Sequence, residues 1–272
     1  MRVVERISEI GTRGQSSVGF VPTMGALHEG HAALLRRSRA ENDISVLSIF
    51  VNPTQFGPNE DYSRYPRTLE SDLAIAESCG VDIVFLPSVE EMYPNHLVKV
   101  QVFGVTERWE GAKRPGHFDG VSTVVAKLFG MVLPTRAYFG QKDLQQCQVV
   151  QTMVTGLNLP IGVVVCDTVR EVDGLAMSSR NRYLSPSERN LAPLLYQKLS
   201  ESRMSIVQGS SVAETLSSAA SALSANGFGV DYFEYVDLPT MAPIAAHQED
   251  SALICAAKLG TTRLIDNVVF LS

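Results

Sequence analysis

The sequence predicts an α/β protein in two parts: a parallel-sheet N-terminal domain over residues 1–170 and a smaller α+β domain over 171–272. Three observations predict it. Short apolar runs at Val18–Val21, Ile44–Val51, Ala137–Phe139 and Ile161–Cys166 are bounded by polar residues, as buried parallel strands are. Helical patterns and turn residues separate these runs, which is the βαβ order of a Rossmann-like sheet. Beyond residues 168–175 the order changes to helices followed by strand candidates, and this change sets the boundary.

Along the chain, Val3, Ile7 and Ile10 share one face of a predicted first helix over residues 3–13. The run Val18–Val21 is broken by Pro22 and Gly25, and a helix then opens on His28-x-Gly30-His31. Turn backbone and a helix N-terminus together offer N–H groups and a positive dipole end, which suit a phosphate. Imidazoles three residues apart fall on one side of the first helical turn, and each can donate to a phosphate oxygen. The alternatives are two capping or surface residues, or half of a metal site. A zinc site needs a further Cys, His or carboxylate cluster, and none is evident.

Ile44–Val51 ends in Asn52-Pro53-Thr54-Gln55, so two carboxamides sit just beyond a strand's C-terminal end. Ligands of open α/β sheets bind there, and a carboxamide reads a hydroxyl or a carboxylate; the alternative is that both amides satisfy turn backbone. A polar loop at Asp61–Arg67 precedes a helix over Leu69–Cys79 and a strand over Asp82–Leu86. Within that loop Tyr65 and Arg67 either cover a site or pack on the surface. Val98–Phe103 reads as a further weak strand. The Gly-rich stretch from Arg108, RWEGAKRPGHFDG, is a lid or a solvated connection, and a helix with Val121, Val124, Val125, Leu128 and Phe129 on its buried face follows.

Ala137–Phe139 runs into Gly140-Gln141-Lys142-Asp143 and a helix over Leu144–Val154. Lys142 holds a phosphate as a point charge or is a solvated lysine, and Asp143 is a suitable N-cap. After the strand Ile161–Cys166, Asp173-Gly174 marks a turn, and Ser178-Ser179-Arg180 is a phosphate clamp or an ordinary exposed loop. Ser185-Pro186-Ser187-Glu188 starts a helix running to about Ser200. A second helix covers Val212–Ala225, and strands are predicted at Val230–Val236, Ala252–Ala257 and Arg263–Leu271.

Composition narrows the function classes. The formal net charge of −6 speaks against a nucleic-acid binder, so an anionic ligand needs local cations. Four scattered cysteines with no CxxC pair suit a reducing compartment. No apolar run reaches membrane-spanning length, and the start MRVVERISEI carries acids and lacks an apolar signal core, so the expected location is cytoplasmic. No G-x-G-x-x-G follows a strand, which weakens an oxidoreductase reading.

Five motifs in order, PTMGALHEGH (22–31), VNPTQF (51–56), EGAKRPGHFDGVSTVVAKLF (110–129), YFGQKD (138–143) and DGLAMSSRNRYL (173–184), closely resemble the pantothenate synthetase family. That family belongs to the HxGH nucleotidyltransferases. The resemblance runs from about residue 17 to 184 and implies a two-step ligation: ATP and pantoate form pantoyl adenylate, then β-alanine attacks to release AMP. It assigns ATP contacts to Met24, Gly25, Ala26, Leu27, His28, Glu29, Gly30 and His31. Gly140, Gln141, Lys142, Asp143, Val169, Met177, Ser178, Ser179 and Arg180 match the remaining ATP contacts. His31, His28, Lys142 and Arg180 are the implied catalytic residues, Gln55 and Gln146 hold pantoate, and Asn52 supports them. Gln55 also lies near the β-alanine position. Gln141 stands where many members have Glu. Mg²⁺ is expected on the ATP phosphates rather than on protein side chains. The loops 57–67 and 108–120 are lid candidates, the C-terminal domain is expected to close over ATP, and the resemblance implies a homodimer. The rivals are a nucleotidyltransferase acting on another acid and a nucleotide-binding module without catalysis.

Overall fold

The computed structural model describes every residue except Arg13, Gln15, Ser16, Asn59, Asp61, His96 and Ser272. The chain forms two compact units: Met1–Gly140 with Val149–Asp167, and Gln141–Gln148 with Thr168–Ser272.

The first unit carries strands β1 (Arg2–Val4), β2 (Val18–Thr23), β3 (Ile44–Ile49), β4 (Ile83–Phe85), β5 (Arg136–Gly140) and β6 (Gly162–Cys166). All pair in parallel, in the order β1-β4-β3-β2-β5-β6. Helices α1 (Glu29–Glu41), α2 (Leu69–Ser78), α3 (Val89–Met92), α4 (Trp109–Lys113) and α5 (His117–Val132) connect them, and α6 (Leu144–Gly156) follows β5. The central strands are apolar on both faces because both are covered. Val21, Leu47 and Val84 pack with Leu35 and Ala76, while Phe20 meets Phe129 of α5 edge-on at 6.4 Å. Strand order reverses between β2 and β5, so the chain leaving Thr23 and the chain leaving β5 at Gly140 emerge from adjacent strand ends. In doubly wound sheets that reversal is where ligands bind.

Several expectations change. Residues 3–13 form no helix: β1 pairs with β4, and a 3-10 turn over Ile7–Glu9 follows (Arg13 lies outside the described residues). Three apolar positions at helical spacing fit an edge strand and a turn equally well, and the β-branched Val3-Val4 pair tips the balance. Pro22 does not end β2. Its nitrogen faces β5, where pairing stops at Phe20, so the missing N–H removes no ladder bond. Val98–Phe103 is not a strand; Val100 N–H donates to Thr123 Oγ1 at 2.9 Å and the Val98 and Phe103 side chains are exposed. The Gly-rich stretch after Arg108 holds α4 and the start of α5 rather than an open loop.

The second unit contains α7 (Pro186–Leu191), α8 (Leu194–Val207) and α9 (Val212–Ala225). Its antiparallel sheet has the order β7 (Phe228–Asp237), β8 (Ser251–Leu259), β9 (Thr262–Phe270). Ser185 and Glu188 form the anticipated capping box, but the expected single helix divides at Pro193, which supplies no N–H. Leu195, Leu199 and Leu223 pack against Phe233, Tyr235 and Leu253 of the sheet. Residues 141–148, which chain order places inside a 1–170 domain, pack with this unit. Among the described residues no helix is long and apolar enough to cross a membrane.

Candidate active site

The HxGH turn is built by its own side chains. His28 is the N-cap of α1, and its Nδ1 accepts the Gly30 N–H at 3.2 Å. His31 reaches back, its Nδ1 accepting the His28 N–H at 3.3 Å. The two rings lie 4.2 Å apart, tilted by 47°. Since both Nδ1 atoms accept backbone hydrogens, each neutral ring carries its proton on Nε2. In that tautomer Nε2–H is the donor of each ring.

Ahead of the helix, Ala26 adopts a positive φ of 50° and Gly25 one of 81°. This turn is held by Asp72 of α2, fully buried, whose carboxylate accepts the N–H groups of Ala26 (3.0 Å) and Leu27 (2.8 Å) and the Thr68 hydroxyl (3.0 Å). A Cβ on Gly25 would come within 2.9 Å of that carboxylate, so glycine is needed there for space as well as conformation. The expectation of free turn N–H groups is corrected. Gly25, Ala26, Leu27, His28 and Gly30 all donate within the protein, because a buried carboxylate, a threonine hydroxyl and two imidazoles already serve as their acceptors.

Beyond β3, Asn52 is 1% exposed and its amide is fully engaged. Oδ1 accepts from Tyr93 OH (2.8 Å), Thr54 Oγ1 (2.9 Å) and Thr54 N–H (3.3 Å); Nδ2 donates to Gln55 Oε1 (3.1 Å) and Gly120 O (3.2 Å). Asn52 thus satisfies turn backbone and also sets the Gln55 amide, whose Nε2 meets Met24 Sδ at 3.1 Å. The backbone carbonyl of Gln55 accepts from His117 Nδ1 (2.8 Å) and Arg114 Nη2 (3.4 Å). Arg114 also donates bidentately to Glu60, both bonds 2.7 Å, and its Nη1 lies 3.0 Å from His117 Nε2. Burial, reinforced by that guanidinium, pushes the His117 pKa down to about 4, so the ring is neutral at pH 7.

In the second unit, Gln141–Asp143 forms a 3-10 turn ahead of α6. Asp143, expected as an N-cap, lies in this turn with Oδ1 3.4 Å from Lys142 Nζ. Gln146 is half-buried in the first turns of α6. Val169 and Met177 are joined directly, the Val169 carbonyl accepting the Met177 N–H at 3.0 Å across a hairpin closed by Asp173-Gly174. Ser178 caps the 3-10 turn Ser179–Tyr183 through the Arg180 N–H at 3.3 Å, which places Ser179 and Arg180 at that turn's start.

The chain as a whole is similar to known proteins. The family profile described as "Pantoate-beta-alanine ligase" matches residues 1–269. The chain belongs to the pantoate–β-alanine ligase family. Pantothenate synthetase from Thermus thermophilus is 52% identical over 272 residues, covering 98% of this chain and 99% of that one. Its counterpart from Acidiphilium cryptum is 51% identical over 256 residues, covering 94% and 92%. The crystal structure of the Thermus protein superposes with a TM-score of 0.95 at 51% identity over all of both chains. A Francisella tularensis pantoate–β-alanine ligase, titled as complexed with βγ ATP and β-alanine, superposes with a TM-score of 0.83 at 33% identity, covering 99% and 97%.

Among the supports of this ligase's site, sequence reasoning missed Asp72, Tyr93 and His117. Asp72 sits in a short helix and Tyr93 just beyond one, with no motif around either. His117 was visible inside the Gly-rich block, but only the fold shows that it reaches the Gln55 carbonyl.

Proposed function

We propose that this chain is an ATP-dependent, AMP-forming ligase that makes pantothenate from pantoate and β-alanine through pantoyl adenylate. The family match over residues 1–269, with its HxGH turn intact, carries the reading. ATP is assigned to Met24–His31, Gly140–Asp143, Val169 and Met177–Arg180, and pantoate to Gln55 and Gln146. Asn52 contributes by fixing the Gln55 amide.

The pantoate carboxylate attacks the α-phosphate and pyrophosphate leaves; the β-alanine amine then attacks the acyl carbon and AMP leaves. Anions are brought together in the first step, so the barrier falls through positioning and charge neutralisation. His28 and His31 supply Nε2–H donors, and Lys142 and Arg180 supply fixed positive charge. Mg²⁺, when bound, neutralises the phosphates. Among the described residues no group of three or more His, Cys, Asp or Glu gathers for a metal; the reading assigns the ion to the phosphate oxygens of the nucleotide, hard donors of the kind Mg²⁺ takes. The adenylate must be kept from water. The lid candidates 57–67 and 108–120 serve that need, tied to each other by Glu60 and Arg114 (Asn59 and Asp61 lie outside the described residues). We further propose a homodimer, for which the exposed Leu97, Val98 and Phe103 offer apolar surface, and a cytoplasmic location.

The test is AMP release from ATP and Mg²⁺ with pantoate, with β-alanine, with both and with neither. AMP that requires both acids, with pyrophosphate released on pantoate alone, is the expected outcome. Release that is independent of pantoate, or none under any condition, would overturn the reading.

A further inference from the structure

Two neighbouring residues near the C-terminus have no part in the roles assigned above, yet they hold two of the segments given to ATP. Asp266 and Asn267 of β9 are 4% and 2% exposed. Asn267 Nδ2 donates to the carbonyls of Gln141 (2.9 Å) and Lys142 (3.1 Å), and its Oδ1 accepts from Gln141 Nε2 at 3.1 Å. Both ends of one amide are thus committed to the 3-10 turn that carries Lys142. Asp266 accepts from Arg170 Nη1 (2.6 Å) and Nη2 (3.0 Å), and Arg170 Nη2 also reaches the Asn267 carbonyl at 3.4 Å. Arg170 follows Val169, donates to the Gly174 carbonyl at 3.1 Å and stacks 3.5 Å over the Tyr196 ring. Neighbouring side chains leave a strand in opposite directions, which lets one dipeptide serve two segments.

We propose that Asp266-Asn267 is a positioning clamp for ATP. Asn267 sets the backbone from which Lys142 projects, and Asp266, through Arg170, sets the Val169–Met177 hairpin. A lysine side chain is long and freely rotating, so where its charge arrives depends on how firmly its backbone is placed. Carbonyls of a short 3-10 turn have few partners within the turn, and a buried amide supplies them. A carboxylate as buried as Asp266 persists only with its guanidinium partner, which makes the Arg170 hairpin a fixed part of the same unit. Neither clamp residue is assigned a contact with substrate.

The clamp rests on the assignment of Lys142 to ATP, and the experiment separates the two. ATP–pyrophosphate exchange with pantoate, and the overall reaction, are measured for the full-length protein, Lys142→Ala, Asn267→Ala and the double variant. Asn267→Ala is expected to raise the KM for ATP about tenfold or more, from three lost hydrogen bonds, while the KM for β-alanine stays within about twofold. In the Lys142→Ala background the same change is expected to cost almost nothing further, because its effect passes through Lys142. Costs that add in the double variant, or an Asn267→Ala that merely lowers the melting temperature, would overturn the clamp and leave the ATP reading standing. Exchange undiminished in Lys142→Ala would overturn both. Should Asn267→Ala fail to fold, Asn267→Ser decides on the same terms, since it keeps a polar side chain at the buried position but is too short to span both carbonyls of the Lys142 turn.

Discussion

His31 does two things with two ring atoms. Nδ1 closes the N-terminus of α1 on the His28 N–H, and Nε2–H is the donor assigned to the phosphates. The two can be separated. His31→Ala removes both and should cost about 1 kcal/mol of stability, the usual value of a lost cap, besides abolishing pyrophosphate release. His31→Asn keeps an acceptor at the Nδ1 position and removes the distal donor. It should melt like the parent protein yet lose adenylate formation by about two orders of magnitude or more. A His31→Asn enzyme with near-normal pyrophosphate release would refute the catalytic assignment. Asp72 works on the same turn from α2, its buried carboxylate accepting the Ala26 and Leu27 N–H groups.

At the scale of elements, the Gln55 turn is pressed against the first turn of α5. A Cβ on Gly120 would lie 2.3 Å from the Thr54 carbonyl oxygen and 2.7 Å from Gln55 Cα, both backbone atoms that cannot rotate away. Gly120→Ala should therefore cost about 1–3 kcal/mol by overpacking and displace the Gln55 amide. The KM for pantoate should rise more than the KM for ATP, as steady-state kinetics on each substrate would show. Native stability together with native pantoate affinity would count against this contact. Strands β2 to β9, α1, α2, α9 and the Ser185 cap were readable because their signals are local: apolar runs, helical spacing and capping chemistry. The first helix, the Val98–Phe103 strand and the unbroken helix to Ser200 were misread because a few apolar positions, or a proline, admit two backbones until neighbours choose one.

For the whole molecule, one contribution to stability against pH comes from a neutral buried histidine. His117 has a folded pKa of about 4, against about 6.5 in an unfolded chain. The unfolded state therefore takes up a proton first as pH falls. This group's contribution is complete above about pH 6.5, declines as pH drops from there, and changes no further below about 4. Between pH 7 and 5 the loss is about 2 kcal/mol. Urea titrations at the two pH values should show that loss in the parent and a much smaller one in His117→Asn, which keeps a donor for the Gln55 carbonyl. Equal losses would contradict the burial of a neutral ring.

The parallel sheet, the change of architecture after about residue 170, the family and the motif residues were legible in the sequence. Periodicity, turn chemistry and long ordered motifs are properties of contiguous segments, so they survive without coordinates. Tertiary structure alone decided what holds those residues. Asp72 on the HxGH turn, Tyr93 on Asn52, His117 on Gln55 and Asn267 on the Lys142 turn are partners separated by tens to more than a hundred positions. Such pairs leave no local pattern, because what joins them is the burial of polar groups that must find partners wherever the fold brings them.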